Sequence, residues 1–296
     1  MYDVVIIGGG PAGLSAALVL GRARRKVVVV DSGEPRNAVA HEAHGFLTRD
    51  GIAPAELLRL GREEISGYGV ELLDGRAVSA AGTADGFVVT LESGVELAAR
   101  KLLVTAGMRD ELPDLPGVAE LWGDQVHFCP YCHGYEVHDD QVGVVAEGPL
   151  GVMKAVMLRA WAPDVVLFTG GYEPTEEEAG RLAAHGVGVE QGKVTRLAVA
   201  DGRLTGVELA DGRVVARSAV FVNPTFVPKD NLLTGLGCEM VDGPMLRTVR
   251  VDAAGRTSVP GVWAAGNVID PTAQLISSAG AGATAAVQLN HDLIFA

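Results

Sequence analysis

The stretch YDVVIIGGGPAG (residues 2–13) predicts a buried strand, a glycine-rich turn and the start of a helix. The helix continues through an Ala/Leu-rich stretch from Leu14 to about Arg22, and KVVVVD (residues 26–31) is a second buried strand. A strand, a helix and a parallel strand in this order form a βαβ unit, with which a doubly wound sheet begins. We therefore expect an α/β fold that starts with a nucleotide-binding domain.

The turn has the spacing of a dinucleotide-binding loop, Gly8-x-Gly10-x-x-Gly13. Gly8 permits the tight turn, Gly10 lets backbone N–H groups approach a pyrophosphate, and Gly13 lets the helix pack on the strand. The helix N-terminus adds partial positive charge, and Asp31 can accept hydrogen bonds from ribose hydroxyls. An acid at this position suits an unphosphorylated ribose, so the loop predicts FAD or NAD. A purely structural turn is the alternative.

The middle of the chain repeats the opening pattern. QVGVVAEGPLG (residues 141–151) has the pattern of a strand and a glycine loop, residues 152–161 that of a helix, and DVVLFTGG (residues 164–171) that of a second strand. Equivalent positions are equally spaced in the two halves, with 18 residues from Gly13 to Asp31 and 18 from Gly151 to Thr169. The repeat predicts two doubly wound, Rossmann-like domains.

The order of the segments predicts that the second domain is inserted in the first. The Pro-punctuated LPDLPG (residues 112–117) marks the first boundary, and the pattern of the first domain returns after Gly237. We expect the first domain to contain residues 1–112 and 242–296, and the insert to contain residues 113–241.

Composition excludes several function classes. The 296 residues carry 24 Lys and Arg against 37 Asp and Glu, a net charge of −13, which disfavours nucleic acid and anionic membrane surfaces as partners. No apolar run reaches the roughly 18 residues of a spanning helix, and the strand at residue 2 leaves no room for a signal peptide. We expect a cytoplasmic enzyme.

The segment HFCPYCHGYE (residues 127–136) contains two of the three cysteines, Cys129 and Cys132. Cysteines at this spacing close a disulfide easily, and a helix dipole and protonated His133 or His127 would lower a thiolate pKa. The pair therefore predicts redox chemistry. Half of a zinc site, completed by a histidine or Cys238, is the alternative; without a second CxxC we expect no metal. Cys238 is expected to be an ordinary, semi-buried cysteine.

The motif order GGGPAG, TAG (residues 105–107), a central CxxC and AAGNV (residues 264–268) resembles the low-molecular-weight thioredoxin reductase-like flavoproteins over nearly the whole chain. The resemblance implies FAD in the first domain and a homodimer. It places Gly266 and Asn267, where most members have Gly-Asp, at the ribityl and phosphate groups, and Gln274 and Leu275 at the flavin pyrimidine. The expected FAD-contacting residues are Gly8, Gly10, Pro11, Ala12, Gly13, Asp31, Ser32, Arg36, Asn37, His44, Val78, Ala106, Gly107, Gly266, Asn267, Gln274 and Leu275.

The same resemblance assigns roles around the cysteine pair. Cys132 would be the flavin-proximal thiol and Cys129 the thiol that exchanges with substrate. Typical thioredoxin reductases have an acid-base Asp directly after the second cysteine, whereas this chain has His133, with Glu136 three residues on. A histidine can take a proton from an incoming thiol and return it. A turn residue that only hydrogen-bonds to backbone is the alternative.

The second glycine loop departs from the pattern of NADPH-dependent members. Ala146 adds a methyl group at the tight turn, and Glu147 puts a negative charge beside the expected pyrophosphate. Thr169 stands where the first domain has Asp31, and Ala273 where the family has an arginine. We expect a scaffold that is retained but does not use NADPH in the usual way.

A flavin-linked disulfide that receives no electrons from nicotinamide needs another partner. CPYCHGYE, DSGEPRN (residues 31–37) and HGFL (residues 44–47) resemble the gliotoxin- and holomycin-type dithiol oxidases, in which a small-molecule dithiol is oxidised and O₂ becomes H₂O₂. We expect a dithiol oxidase with catalytic Cys129, Cys132 and His133 that acts on a small dithiol or a thiol protein. The alternatives are a thioredoxin reductase-like enzyme fed by NAD(P)H or another donor such as ferredoxin, and a flavin-bearing redox sensor.

Overall fold

The computed structural model describes residues 1–243 and 245–295. Its strands are β1 Tyr2–Ile7, β2 Val27–Asp31, β3 Glu71–Asp74, β4 Ala77–Thr83, β5 Gly86–Leu91, β6 Glu96–Val104, β7 Met108–Glu111, β8 Val126–His127, β9 Gln141–Val145, β10 Asp164–Phe168, β11 Gly188–Glu190, β12 Val194–Ala200, β13 Arg203–Leu209, β14 Val214–Val215, β15 Ala219–Val222, β16 Thr225–Pro228, β17 Met240–Asp242, β18 Arg247–Val249 and β19 Val262–Ala264. Its helices are α1 Pro11–Arg22, α2 Pro54–Ser66, α3 Val118–Leu121, α4 Pro130–His133, α5 Pro149–Leu158, α6 Glu176–Ala184, α7 Asn231–Gly235 and α8 Leu275–Phe295, with a 3₁₀ turn at Gly266–Val268.

The chain divides into two compact units, which confirms the expected α/β architecture with two nucleotide-binding folds. Unit 1 contains Met1–Ala38, Gly45–Arg109 and the chain from Phe226 onward, and unit 2 contains Val39–His44 and Asp110–Thr225.

Unit 1 is built on a sheet in the order β3-β2-β1-β6-β5-β4, with β19 paired to β6. β1 and β2 are nearly continuous runs of Val and Ile because helices cover one face and further apolar residues the other. α1 packs closely on α8, since a Cβ atom at Gly282 would overlap the backbone of Ala12. This packing holds the first glycine loop against the sheet.

Unit 2 repeats the arrangement with a parallel sheet in the order β11-β10-β9-β15-β8 and a separate antiparallel sheet of β12, β13 and β14. α5 begins at Pro149, three residues before the expected start, because proline is well suited to the first helical position and Gly148 turns the chain with a φ of +78°. Among the described residues, no helix is both long and apolar enough to cross a bilayer.

The observed boundaries differ from those expected at three places, and the smallest difference puts residues 110–112 in unit 2. The segment 226–241 lies in unit 1, where Leu232, Leu233 and Cys238 are buried in the core together with Val5 of β1. The segment 39–44 lies in unit 2, where the backbone of Val39 runs so close to Gly123 that a Cβ there would come within 2.8 Å. Both segments are short, so no periodic pattern indicated which core they join.

Candidate active site

The first glycine loop has the close backbone contacts that its spacing predicts. Gly8 has a φ of +106°, and a Cβ atom at Gly13 would overlap the backbone oxygen of Gly8. Gly10 precedes α1 and has no atom within 4 Å of the position that a Cβ would take. No side chain caps the start of α1, so the N–H groups of its first turn have no side-chain partner there. The space and the free N–H groups fit the pyrophosphate of FAD.

Asp31, the expected ribose acceptor, is held by an arginine that sequence reasoning missed. Arg62 of α2 donates a hydrogen bond from Nη2 to Asp31 Oδ2 over 2.5 Å. The Nε atom of Arg62 is buried and has no hydrogen-bond partner among the described residues, so a polar group is left over for a ligand beside Asp31. Only the tertiary fold brings α2 to the end of β2, and no local motif indicates it.

Asn267 organises the loop that the family resemblance places at the flavin phosphates. Its Nδ2 donates to the carbonyl oxygens of Asp270 and Ala273 over 2.9 and 3.0 Å. Arg36 donates to Asn267 Oδ1 over 3.4 Å, and its guanidinium lies 4.9 Å from the ring centre of Phe226. An aspartate could not donate these two hydrogen bonds. The asparagine that replaces the aspartate of most family members therefore has a structural role here.

Every expected FAD-contacting residue except His44 lies in unit 1. Val78 lies on β4 and is half exposed. His44 lies in unit 2, where its Nε2 is 3.3 Å from Glu136 Oε1 and 3.5 Å from Glu42 Oε2. The contacts of all these residues with FAD stay predictions.

Cys129 and Cys132 form a disulfide at the end of β8. Cys129 caps α4, Pro130 occupies its first position, and the two Cα atoms are 5.3 Å apart. Gly134 ends the turn and is closely packed against Pro130 and Trp161. A Cβ atom at this position would lie 2.5 Å from the carbonyl oxygen of Pro130 and 2.9 Å from the ring of Trp161. Among residues 1–243 and 245–295, no group of three or more His, Cys, Asp or Glu is arranged to hold a metal.

Two histidines stack directly beside the disulfide. The ring centres of His127 and His133 are 4.3 Å apart with an interplanar angle of 19°, and the Nδ1 atoms of both rings are buried without a hydrogen-bond partner among the described residues. Burial, helped by the neighbouring His133, lowers the pKa of His127 to about 3. Burial also lowers the pKa of His133, and Glu136 partly opposes this effect. The expectation that a protonated His127 activates a thiolate is therefore wrong, because burial keeps this ring neutral.

The buried His127 makes a testable contribution to acid stability. The pKa of His127 is about 6.5 in the unfolded chain and about 3 in the folded protein. As the pH falls below 6.5, only the unfolded state takes up a proton, and this stabilises the unfolded state. The folded protein therefore loses stability. Between pH 7.5 and pH 5 this residue should cost the wild-type protein about 2 kcal/mol of unfolding free energy. We expect the His127→Phe variant, which keeps a stacked ring, to lose about 2 kcal/mol less over this range in urea unfolding.

The matched control for this measurement is His185→Phe, since His185 is exposed. It should leave the pH dependence as in the wild type. Equal pH dependence of the His127→Phe variant and the wild type would contradict the assignment of His127 as a buried, neutral ring.

The sequence profile of the family described as pyridine nucleotide-disulphide oxidoreductase matches residues 2–283. The chain belongs to this family. Members of the family bind FAD, and the disulfide of Cys129 and Cys132 is the CxxC pair of a thioredoxin reductase-like member.

Similar structures and relatives support this placement. The crystal structure of HlmI is 53% identical, with a TM-score of 0.94 over 99% of this chain and 92% of that one. An oxidoreductase from Agrobacterium tumefaciens is 38% identical, with a TM-score of 0.93 and 99% of both chains covered. The thioredoxin reductase tcpT of Claviceps purpurea (strain 20.1) is 38% identical over 58% of this chain. The match spans 57% of the tcpT sequence, and a probable thioredoxin reductase of Arthroderma benhamiae is matched over 46% of its length.

The second glycine loop of this family member places a carboxylate beside its backbone. A Cβ atom at Gly170 would lie 2.8 Å from Glu147 Oε1, so the side chain of Glu147 lies against the end of β10. Thr169 is fully buried, and its hydroxyl has no hydrogen-bond partner among the described residues. Thr169 therefore offers no open acceptor for a ribose, and Glu147 adds a negative charge beside the place where a dinucleotide would put its phosphates.

A buried lysine near this loop was not indicated by any motif. Lys154 of α5 donates from Nζ to the carbonyl oxygen of Val222 over 2.8 Å, and Nζ lies 4.2 Å from the ring centre of Phe128. Burial lowers the pKa of Lys154 to about 7. The lysine thus connects α5, the end of β15 and the residue before Cys129.

Proposed function

We propose that the protein is a dithiol oxidase that forms a disulfide in a small-molecule dithiol, with O₂ as the electron acceptor. The observation that carries the proposal is the contrast between the two loops of the chain. The CxxC pair and the first glycine loop have the features that disulfide chemistry and FAD require. The second loop carries Glu147 and Thr169 where a nicotinamide dinucleotide would need an anion site and a ribose acceptor. The resemblance to gliotoxin- and holomycin-type oxidases and the 53% identity to HlmI favour the same direction of reaction.

The chain's own residues account for the thiol steps. A substrate thiolate attacks the sulfur of Cys129, the disulfide breaks, and Cys132 leaves as a thiolate. The second substrate thiol then attacks the substrate sulfur of this mixed disulfide, which releases the oxidised product and leaves both cysteines reduced. His133, directly after Cys132, accepts the proton of the incoming thiol because its lowered pKa keeps the ring neutral near pH 7.

The FAD would be held by the Gly8–Gly13 loop, Asp31 and Asn267, and it supplies the two-electron chemistry that links the cysteines to O₂. The balance is one dithiol and one O₂ consumed for one disulfide and one H₂O₂ formed.

Anaerobic bleaching of the flavin absorbance tests the direction of the reaction. One sample receives NADPH or NADH and the other a small dithiol, and both are then exposed to air. We expect the dithiol to bleach the flavin at least about 100-fold faster than either nicotinamide, since the second loop repels the pyrophosphate, and we expect colour and H₂O₂ to appear in air.

The other outcomes are equally informative. Fast bleaching by a nicotinamide would make the chain a thioredoxin reductase-like enzyme and overturn the interpretation of Glu147 and Thr169. Bleaching by neither reagent would leave a redox sensor or another electron donor, and the oxidase proposal would fail.

A further inference from the structure

His133, the base of the proposed thiol steps, lines a cavity of about 210 Å³ within unit 2. The Nδ1 atom of its ring is buried and has no hydrogen-bond partner among the described residues. Of the two ring nitrogens, only Nε2 is thus left for proton exchange with water. At about 30 Å³ for each molecule, the cavity has room for about seven waters, which can carry a released proton away.

Glu136 is the carboxylate closest in sequence to this ring. It follows His133 by three residues, on the turn that continues from α4, and it lines the same cavity. Gly134, the residue between them that follows α4, has helical φ and ψ angles of −67° and −32°. Residues three apart on a helical turn lie on one side of it. The backbone therefore brings the carboxylate to the side of the turn on which the histidine lies.

His44 holds this carboxylate from a distant part of the chain. Its Nε2 lies 3.3 Å from Glu136 Oε1 and 3.5 Å from Glu42 Oε2. The side chain of His44 is 18% exposed and that of Glu136 is 35% exposed. Glu136 is therefore fixed on one side by a mostly buried ring, and its own side chain still reaches solvent.

The charges around His133 single out Glu136. Glu136 favours the protonated ring and His44 disfavours it, and the influence of Glu136 is the larger of the two. His127 stacks on the ring and is itself kept neutral by burial. No lysine or arginine is found in the described part of the cavity wall. The titratable groups that share the cavity with His133 are His41, Glu42 and His44, Asp124 and His127, and Glu136 and Asp140.

We propose that Glu136 is a positioning residue that acts through His133. Its carboxylate stabilises the ring that has taken a proton from the substrate thiol, and it then passes this proton to water in the cavity. The inference rests on the proposed function, because it concerns the thiol step of the same reaction. His44 keeps the carboxylate in place for this transfer.

The transfer moves one proton and no electrons. The S–H bond of the substrate breaks, its electron pair stays on sulfur as the attacking thiolate, and the proton passes to the ring of His133. From Nε2 the proton passes to the carboxylate of Glu136, directly or through one water, and from there to solvent. The ring is then neutral again and ready for the second thiol.

The pH dependence of anaerobic flavin bleaching by dithiothreitol tests this role in the FAD-loaded protein. Only the neutral ring accepts the thiol proton, so the bleaching rate rises with pH as His133 loses its own proton. Without the charge of Glu136, the pKa of His133 falls further, so in Glu136→Gln this rise should move to lower pH by about half a unit or more. At pH 8, where the ring is neutral in both proteins, the rate should fall at least about tenfold because the proton has lost its acceptor.

Rescue distinguishes proton transfer from a merely structural role. Glu136→Asp keeps the negative charge, so its rate should rise at nearly the same pH as that of the wild type. About 50 mM imidazole, which is small enough to enter the cavity, should speed up Glu136→Gln at least about fivefold at pH 8 and the wild type less than about twofold. If Glu136→Gln does not fold, Glu136→Asp and Glu136→Asn, which have the same length and differ in charge, allow the same comparison.

Glu42→Gln is the matched control, because it removes the other carboxylate that contacts His44. Glu42 also lines the cavity, and its side chain is 60% exposed. Its removal should leave the pH of the rise unchanged and the rate within about twofold of the wild type.

Each outcome decides the proposal. An unmoved rise in Glu136→Gln would overturn it, and so would a slower variant that imidazole does not rescue, since loss of local structure alone gives that result. Equal shifts in Glu42→Gln and Glu136→Gln would also overturn it, because the effect would then come from the charge of the whole cavity. Failure of dithiothreitol to bleach the wild-type flavin would instead overturn the proposed function.

Discussion

The Cys132→Ser variant is expected to retain bound FAD and to lose dithiol-driven flavin bleaching by at least about 1,000-fold. Serine cannot form the disulfide with Cys129, so no disulfide remains for the substrate thiols to attack and to pass their electrons to FAD. Serine is close to cysteine in size, and α4 is held by its own backbone hydrogen bonds and by the contact of Tyr131 with Trp161, so the local fold should persist. Anaerobic stopped-flow absorbance measures the effect.

Cys238→Ser is the control for this experiment. Cys238 is buried in unit 1, where its sulfur contacts the hydroxyl of Thr257 over 3.5 Å, and burial raises the pKa of its thiol. A raised pKa disfavours the reactive thiolate, so the bleaching rate should stay within about twofold of the wild type. Bleaching of Cys132→Ser at the wild-type rate would show that the assignment of the redox pair is wrong.

The second large effect is expected at the first glycine loop, where Gly10→Ala should weaken FAD binding by about 100-fold. The added methyl group points into the open space before α1, which is the expected place of the pyrophosphate. Gly10 has a φ of −77°, which alanine adopts readily, so the unfolding free energy of the FAD-free protein should change by less than about 1 kcal/mol. Fluorescence titration of the FAD-free protein measures the affinity, and urea unfolding the stability.

Two further variants serve as comparisons for Gly10→Ala. Gly82→Ala in β4 also adds a methyl group in open space, but far along the chain from the loop, and FAD affinity should not change. Gly13→Ala should instead destabilise unit 1 itself, because the methyl group overlaps the backbone of Gly8. Unchanged FAD affinity in Gly10→Ala would contradict the placement of the pyrophosphate at this helix.

The parts of the molecule that could be predicted are those whose signal is local in sequence. Buried parallel strands appear as runs such as VVVV in β2, and the close backbone approaches at Gly8 and Gly13 require glycine at fixed spacing. The CxxC motif also carries its geometry within four residues. These signals were sufficient to predict the two nucleotide-binding folds, the first glycine loop and the disulfide.

The remaining features depend on contacts between distant segments. Arg62 reaches Asp31 only because α2 packs at the end of β2, and His127 stacks on His133 only after α4 reverses the chain. Lys154 is a charged residue in a buried position, which pattern reasoning assigns to the surface. Such contacts leave no period or spacing in the sequence, and so the charge state of His127 was misjudged.

The close packing of α8 on α1 has a consequence for how the protein is made. Gly282 lies against Ala12, so the first glycine loop and its helix are covered by a segment about 270 residues later in the chain. During synthesis, residues 110–225 leave the ribosome before α8 does, so unit 2 can complete its core while unit 1 is still open on one side. The loop expected to hold the dinucleotide is thus finished last, and loading of the cofactor has to follow translation of nearly the whole chain.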